Sequence, residues 1–268
     1  WPYLYYTDAE GQEFTLRERN DSYQSFGEFA ADCGCDSLIG IGKLVQTDAC
    51  TEHMNTALLI RRDGSTGGYY DKMHLVLFGE YVPLADMFPQ LNPISSLCDN
   101  CTPGEAPKSF TLSPRLETAE GNKTEDARSM RFSPNICYET VIPHLIRGQI
   151  AELRAEGNEP DAMINLTNDG WFWGSSELDM HLVCGVFRAV ETRKPLLIAA
   201  NTGFSAHISS LGEIIEQGPR RAPGIIIADV HPDGRVSPYT VIGDTFAGLC
   251  LLACAVFAVA GIWGRRQA

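Results

Sequence analysis

Positive charge is scarce in this 268-residue chain. Lys and Arg total 21 against 34 Asp and Glu, which leaves a formal net charge of -13 and a pI near 4.8. No basic run occurs, and no aromatic-basic interleaving. Such a surface repels a phosphate backbone, which excludes nucleic acid as a partner. A second Cys-x-x-Cys or a His-x-x-x-His to complete four zinc ligands beside Cys98 and Cys101 is also missing, so this spacing reads as a loop disulfide or two free thiols. No metal or other cofactor is expected. Residue 1 is Trp, and no signal peptide precedes the first polar segment, so the sequence is read as processed or cut from something longer. The length suits one large domain or two small ones, and a hydrophobic content of 44% argues against disorder.

The chain alternates helical and strand patterns. Tyr23, Phe26, Phe29 and Ala30 recur at helical spacing behind an Asp21-Ser22 cap. Strands are expected over 37–45 and 55–61, then a turn at Arg62-Asp63-Gly64 and a partner strand through Tyr70. Residues 91–129, rich in Pro, Ser, Gly and Asn, read as a long surface insertion with one strand pair near 109–112. A strand then leads to Cys137, a helix covers 144–155 and a strand 161–167. The aromatic turn Asn168–Gly174 follows, its three aromatics expected on the surface. The next helix, 177–192, has Leu178, Leu182, Val183, Val186, Phe187 and Val190 as its apolar face, and strands are expected over 195–201, 205–209 and 224–230, the last one buried. Interleaved strands and helices indicate an α/β or α+β fold built on layered sheets.

Phe246 to Trp263 carries no charge. At about 1.5 Å per residue it spans roughly 27 Å, close to the apolar thickness of a bilayer. A buried core helix would not explain apolar residues on every face, Trp263 at the boundary and the Arg265-Arg266 tail. A transmembrane helix over 246–263 is therefore expected, with a basic cytoplasmic tail at 264–268 and everything before Asp244 on the other side.

Cys137 follows an apolar strand, in Asn135-Ile136-Cys137-Tyr138-Glu139. A single such cysteine is commonly a core residue. It becomes a nucleophile candidate only with a cation or base nearby, because the thiolate is the reactive form. Lys72 and Glu80 stand eight residues apart around an apolar stretch ending in Phe78-Gly79. On their own they read as surface charges, and His74 as a structural histidine.

Together these segments resemble the nitrilase superfamily and, within it, the apolipoprotein N-acyltransferases of bacterial inner membranes. The resemblance rests on Tyr70-Asp71-Lys72-Met73-His74-Leu75-Val76-Leu77-Phe78-Gly79-Glu80-Tyr81-Val82-Pro83, on Ile136-Cys137-Tyr138-Glu139, and on Asn168-Asp169-Gly170-Trp171-Phe172. Arg188 to Pro195, Asn201-Thr202-Gly203 and the single closing helix add to it. It covers the whole chain except the 91–129 insertion. It implies a nitrilase-like four-layer α-β-β-α sandwich over residues 1–240, followed by one transmembrane helix.

It further implies a Glu-Lys-Cys triad in which Cys137 takes an acyl chain from a phospholipid as a thioester. The α-amino group of a lipoprotein's diacylglyceryl-cysteine then accepts the acyl chain. By the same resemblance Lys72 lowers the thiol's pKa and holds the oxyanion, Glu80 orients Lys72, and Tyr138 and Glu139 shape the pocket. The catalytic domain would face the periplasm. Since Lys72 is assigned to chemistry, Lys72→Ala is expected to abolish acylation and leave the fold intact.

The family's triad glutamate lies in a Trp-Pro-Glu motif, whereas Trp1-Pro2 is followed here by Tyr3. Tyr3 is a poor base at neutral pH, and Glu10 and Glu13 lie in a polar stretch with nothing to orient them. The glutamate is therefore expected upstream of Trp1, and residues 1–268 alone are expected to be inactive. The alternatives are a nitrilase-type amidase that passes the acyl group to water, and a nitrilase-like binding module without catalysis.

Overall fold

The computed structural model describes residues 4–7, 13–14, 20–46, 51–85, 87–88, 90, 101–112 and 129–267. The Trp1-Pro2-Tyr3 start, Glu10, Cys50, Cys98 and most of the 91–129 insertion lie outside these residues.

Two sheets face each other. The first has the order β2-β1-β3-β4-β5, built from Leu4–Thr7 (β1), Glu13–Phe14 (β2), Ser37–Gln46 (β3), Thr51–Ile60 (β4) and Thr66–Asp71 (β5). The second has the order β11-β10-β9-β8-β7-β6. Its strands are Phe110–Leu112 (β6), Met130–Ile136 (β7), Ala162–Asn168 (β8), Leu196–Asn201 (β9), Ala206–Ile208 (β10) and Ile214–Gln217 (β11). β4 shows why the sheets stack: successive side chains on a strand point to opposite faces, and both faces of β4 are apolar. Leu58 and Ile60 pack with Ile41 against Ala30 and Phe26 of helix α1, Asn20–Cys33. Ala57 and Leu59 turn the other way and join Tyr70 to Phe110, Phe132 and Ile136 of the second sheet.

The far side of the second sheet is covered by α2 (Pro143–Ala155) and α3 (Glu177–Thr192). Ile146, Ile150, Leu182 and Ala189 pack there on Met163, Leu196, Ile198 and Ile208. The layers therefore run α1, sheet, sheet, α2 with α3, which is the expected α-β-β-α sandwich. The hairpin at Arg61–Ser65 closes as its sequence indicates, with Gly64 at φ 82° and the Arg61 N–H bonded to the Ser65 carbonyl at 2.8 Å.

Two expectations are corrected. Residues 224–230 form no ladder with any described strand, and Ile225 and Ile227 are 87% and 86% exposed. The β-branched run Ile225 to Ile227 favours an extended backbone, but a strand needs a neighbouring edge to pair with. On α3, Val183 and Phe187 face outward, and the buried stripe is Leu178, His181, Leu182, Gly185, Arg188, Ala189 and Thr192. Phe172 is half-buried, while Trp171 and Trp173 are exposed.

The short helix α4, Pro238–Ile242, is capped by Ser237, whose hydroxyl accepts from the Thr240 N–H. Arg147 of α2 donates to the carbonyls of Tyr239, Thr240 and Val241. This ties the base of α5, Thr245–Gln267, to the sandwich. Residues Thr245–Trp263 of α5 have a mean hydropathy of 2.4 and none of that surface is buried, so α5 is long and apolar enough to cross a membrane.

Candidate active site

β7, β8 and β9 run parallel, so their carboxyl ends lie side by side. These ends carry Cys137, Asn168-Asp169 and Asn201-Thr202-Gly203. This is where open parallel sheets place their ligand sites. The facing sheet brings up Lys72 at the end of β5.

β7 ends by turning sharply into a short helical turn, Cys137–Val141. Cys137 takes the left-handed conformation, φ 52°, which costs a non-glycine residue about 1–2 kcal/mol. The turn lifts the side chain away from the ladder. The Cys137 carbonyl compensates by accepting from Thr140 Oγ1 at 3.1 Å and facing His181 Nε2 at 3.1 Å.

Lys72 is 1% exposed. Its ammonium donates to both oxygens of Glu80, at 2.8 and 2.7 Å. Glu80 is fixed in turn by the Val76 N–H at 2.8 Å and the Asn55 amide at 3.2 Å. Backbone bonds hold the lysine's own peptide, from its N–H to the Asn55 carbonyl and from the Gly104 N–H to its carbonyl, both 2.8 Å. Gly104 has to be glycine, since a Cβ there would lie 2.2 Å from the Asp71 carbonyl oxygen. Burial of this depth corrects the expected outcome for Lys72→Ala. Removing one partner of a buried ion pair costs about 3–5 kcal/mol, so Lys72 supports the fold as well as the site.

Burial pushes the Cys137 thiol up from its ordinary pKa. Lys72 and a hydrogen bond from Thr167 pull it down, and Asp169 and Glu80 add to the rise. Lys72 therefore acts in the expected direction but does not outweigh burial. At neutral pH the group rests as a thiol, and reaction requires a base.

Glu139 is fully buried and accepts four hydrogen bonds. Tyr70 Oη (2.8 Å) and the N–H groups of Met73 (2.8 Å) and His74 (3.1 Å) reach Oε1, and the Ile136 N–H (2.8 Å) reaches Oε2. It is a staple between the lysine segment and the cysteine turn, set behind the site. Burial raises its pKa, and the four bonds oppose that rise. Gln149 extends the cluster, donating to Tyr70 Oη at 3.0 Å and accepting from Asn135 at 2.7 Å. Tyr138 is exposed, with its ring 6.3 Å from that of His74. His74 lies on the surface, and what burial it has lowers its pKa.

Leu77, Phe78, Leu84, Met87 and Phe88 are also exposed, as is Trp171, two residues after Asp169. Much of the apolar surface near the site thus belongs to the segment that carries Lys72 and Glu80.

The sequence matches the carbon-nitrogen hydrolase family over residues 4–237. The chain belongs to that family. Among curated proteins it is 35% identical over 216 residues to an apolipoprotein N-acyltransferase of Geobacter metallireducens, covering 81% of this chain and 37% of that protein. It is 32% identical over 217 residues to one of Rhodopirellula baltica, covering 80% and 35%. The chain thus spans little more than a third of the length of these relatives. Among solved structures, Nit3 of Saccharomyces cerevisiae, a member of branch 10 of the nitrilase superfamily, superimposes with a TM-score of 0.51. Sequence identity is 16%, over 78% of this chain and 65% of that one. This likeness bears on the fold, which is nitrilase-like.

Cys137, Lys72, Glu80, Tyr138 and Glu139 are the residues singled out in the sequence. The structure brings Cys137 within electrostatic reach of Lys72 and Glu80. Reasoning from sequence missed Thr167, Asp169 and His181. The available signal was a histidine within the apolar stripe of α3, at Leu178, His181, Gly185 and Arg188, where a polar side chain needs a buried partner.

Proposed function

We propose that this chain is the catalytic part of an apolipoprotein N-acyltransferase. Cys137 attacks the ester carbonyl of a phospholipid, a carbon–sulfur bond forms, and the carbon–oxygen bond breaks to release a lysophospholipid. The free α-amino group of a diacylglyceryl-cysteine on a lipoprotein then attacks the thioester. The carbon–sulfur bond breaks, an amide forms, and the thiolate returns. Lys72, held by Glu80, stabilises the oxyanion in both steps. The proton leaving the thiol in the first step goes to the lysophospholipid oxygen, and the proton leaving the amine in the second restores the thiol. A general base carries both, in the role of the family's Trp-Pro-Glu glutamate, for which no residue of this chain is assigned.

The observation that carries this reading is the buried Lys72–Glu80 pair acting on Cys137, with exposed apolar residues beside it and an apolar helix closing the chain. A water-soluble substrate would need neither apolar feature. α5 anchors the sandwich to the bacterial inner membrane with its basic end in the cytoplasm and the site on the periplasmic side. Intact-protein mass spectrometry after incubation with phospholipid tests the chemistry. The mass of one acyl chain on the full-length protein, absent in Cys137→Ala, is the expected result. An adduct on Cys184 instead would refute the assignment.

A further inference from the structure

We propose that Asp169 is the positioning residue of the nucleophile, holding Cys137 at two points, its thiol through Thr167 and its carbonyl through His181. This rests on Cys137 being the nucleophile.

Asp169 is 3% exposed, at the end of β8. Its Oδ1 accepts from Thr167 Oγ1 at 2.7 Å and lies 2.9 Å from His181 Nδ1. The Thr167 hydroxyl also acts on the Cys137 thiol, lowering its pKa. His181 sets its other nitrogen against the Cys137 carbonyl at 3.1 Å and the Thr140 hydroxyl at 3.0 Å, and it bridges carboxylate and carbonyl by donating from both nitrogens. One carboxylate thus reaches both ends of the reactive residue through one intermediary each.

The Thr167 hydroxyl has a single proton. With that proton on Asp169, its oxygen can accept from the thiol. Once the thiolate forms, the hydroxyl must turn and donate to sulfur, leaving His181 to satisfy the carboxylate. The second carboxylate oxygen explains Gly203: a Cβ at that position would sit 2.0 Å from Asp169 Oδ2. A glycine on the loop after β9 is therefore required for the carboxylate to occupy its place. The charged groups acting on the thiol are Lys72, Glu80 and Asp169. Only Asp169 among them is also bonded to the residues that hold the cysteine backbone.

The test compares Asp169→Asn, Gly203→Ala, Thr167→Val and Thr167→Ser with wild type in the full-length protein, residues upstream of Trp1 included, in detergent. Two readouts are taken: thioester formation from phospholipid vesicles, and the pH profile of Cys137 alkylation by iodoacetamide. Asp169→Asn should lower the alkylation midpoint, since a negative charge is gone. It should also slow thioester formation about tenfold or more, since a displaced nucleophile loses alignment. A general loosening of the fold would move the two in the same senses by hydrating the buried thiol, so Asp169→Asn is read at an unchanged Tm and against Thr167→Val, whose midpoint moves the other way. Gly203→Ala should slow thioester formation similarly. Thr167→Val should raise the midpoint and slow thioester formation, and Thr167→Ser should restore both. Folded Asp169→Asn and Thr167→Val proteins with wild-type profiles and rates would overturn the proposal. If the wild-type protein forms no thioester, the acyltransferase reading fails by itself. The alkylation profiles still decide whether Asp169 and Thr167 govern the thiol.

Discussion

Glu139→Gln isolates the staple between the two halves of the site, because it changes one oxygen to an amide at almost constant volume. All four neighbours of the carboxylate are donors. The glutamine must therefore turn its NH2 group toward one of them. The least costly orientation keeps the carbonyl on Tyr70, Met73 and His74 and sets the amide against the Ile136 N–H. An orphaned buried donor costs about 1–3 kcal/mol, and the three remaining bonds lose their charge assistance. Relief of the buried charge offsets part of this, which leaves a net loss of about 2–4 kcal/mol. For a domain of this size that lowers Tm by about 5–15 °C, readable by circular dichroism. The loss falls where the lysine segment meets the cysteine turn, so thioester formation should drop along with stability. A Glu139→Gln protein with wild-type Tm and wild-type acylation would show that the four bonds do not hold the site together.

Lys72→Met should abolish thioester formation, destabilise the protein by about 3–5 kcal/mol in chemical denaturation, and raise the pH midpoint of Cys137 alkylation because the cation that lowers it is gone. An unchanged midpoint would remove Lys72 from the electrostatics of the thiol. Glu159, bound to Arg154 and Lys194, has its pKa lowered to about 2. Its contribution is present above the ordinary carboxylate range and is lost as pH falls from about 4.5 through about 2. One third of its side chain is exposed, which discounts the effect to about 1 kcal/mol. Glu159→Gln should therefore lower stability at pH 7 by that amount and flatten this part of the acid limb in urea titrations, and an identical acid limb would refute the pairing. In a protein of residues 1–268 alone, removing α5 after Asp244 should release the sandwich from the membrane fraction with its Tm nearly unchanged, since none of the apolar surface of α5 is buried. Loss of cooperative unfolding would show that α5 belongs to the core.

The parts of the fold legible in the sequence were those fixed by local patterns. β4 reads as a strand because both of its faces are apolar, and the Asp63-Gly64 turn is written in its own residues. The 224–230 segment has the same local pattern, yet its state depends on whether an edge is available, which no short window of sequence records. The site divides along the same line. Cys137 and Lys72 stand in motifs and could be located one at a time. Asp169 stood within a motif too, but its importance lies in contacts with His181 and Gly203, which come from α3 and from the loop after β9. The stripe of α3 was read from its apolar members, which put Val183 and Phe187 inside. The helix is in fact rotated toward His181, Arg188 and Thr192, because His181 and Arg188 find acceptors outside the helix in Asp169 and the Val141 carbonyl, while Thr192 bonds the Arg188 carbonyl of its own helix. Polar side chains with partners decided which face was buried. The same partners place a carboxylate behind the nucleophile, so the rotation of α3 and the positioning of Cys137 share one cause.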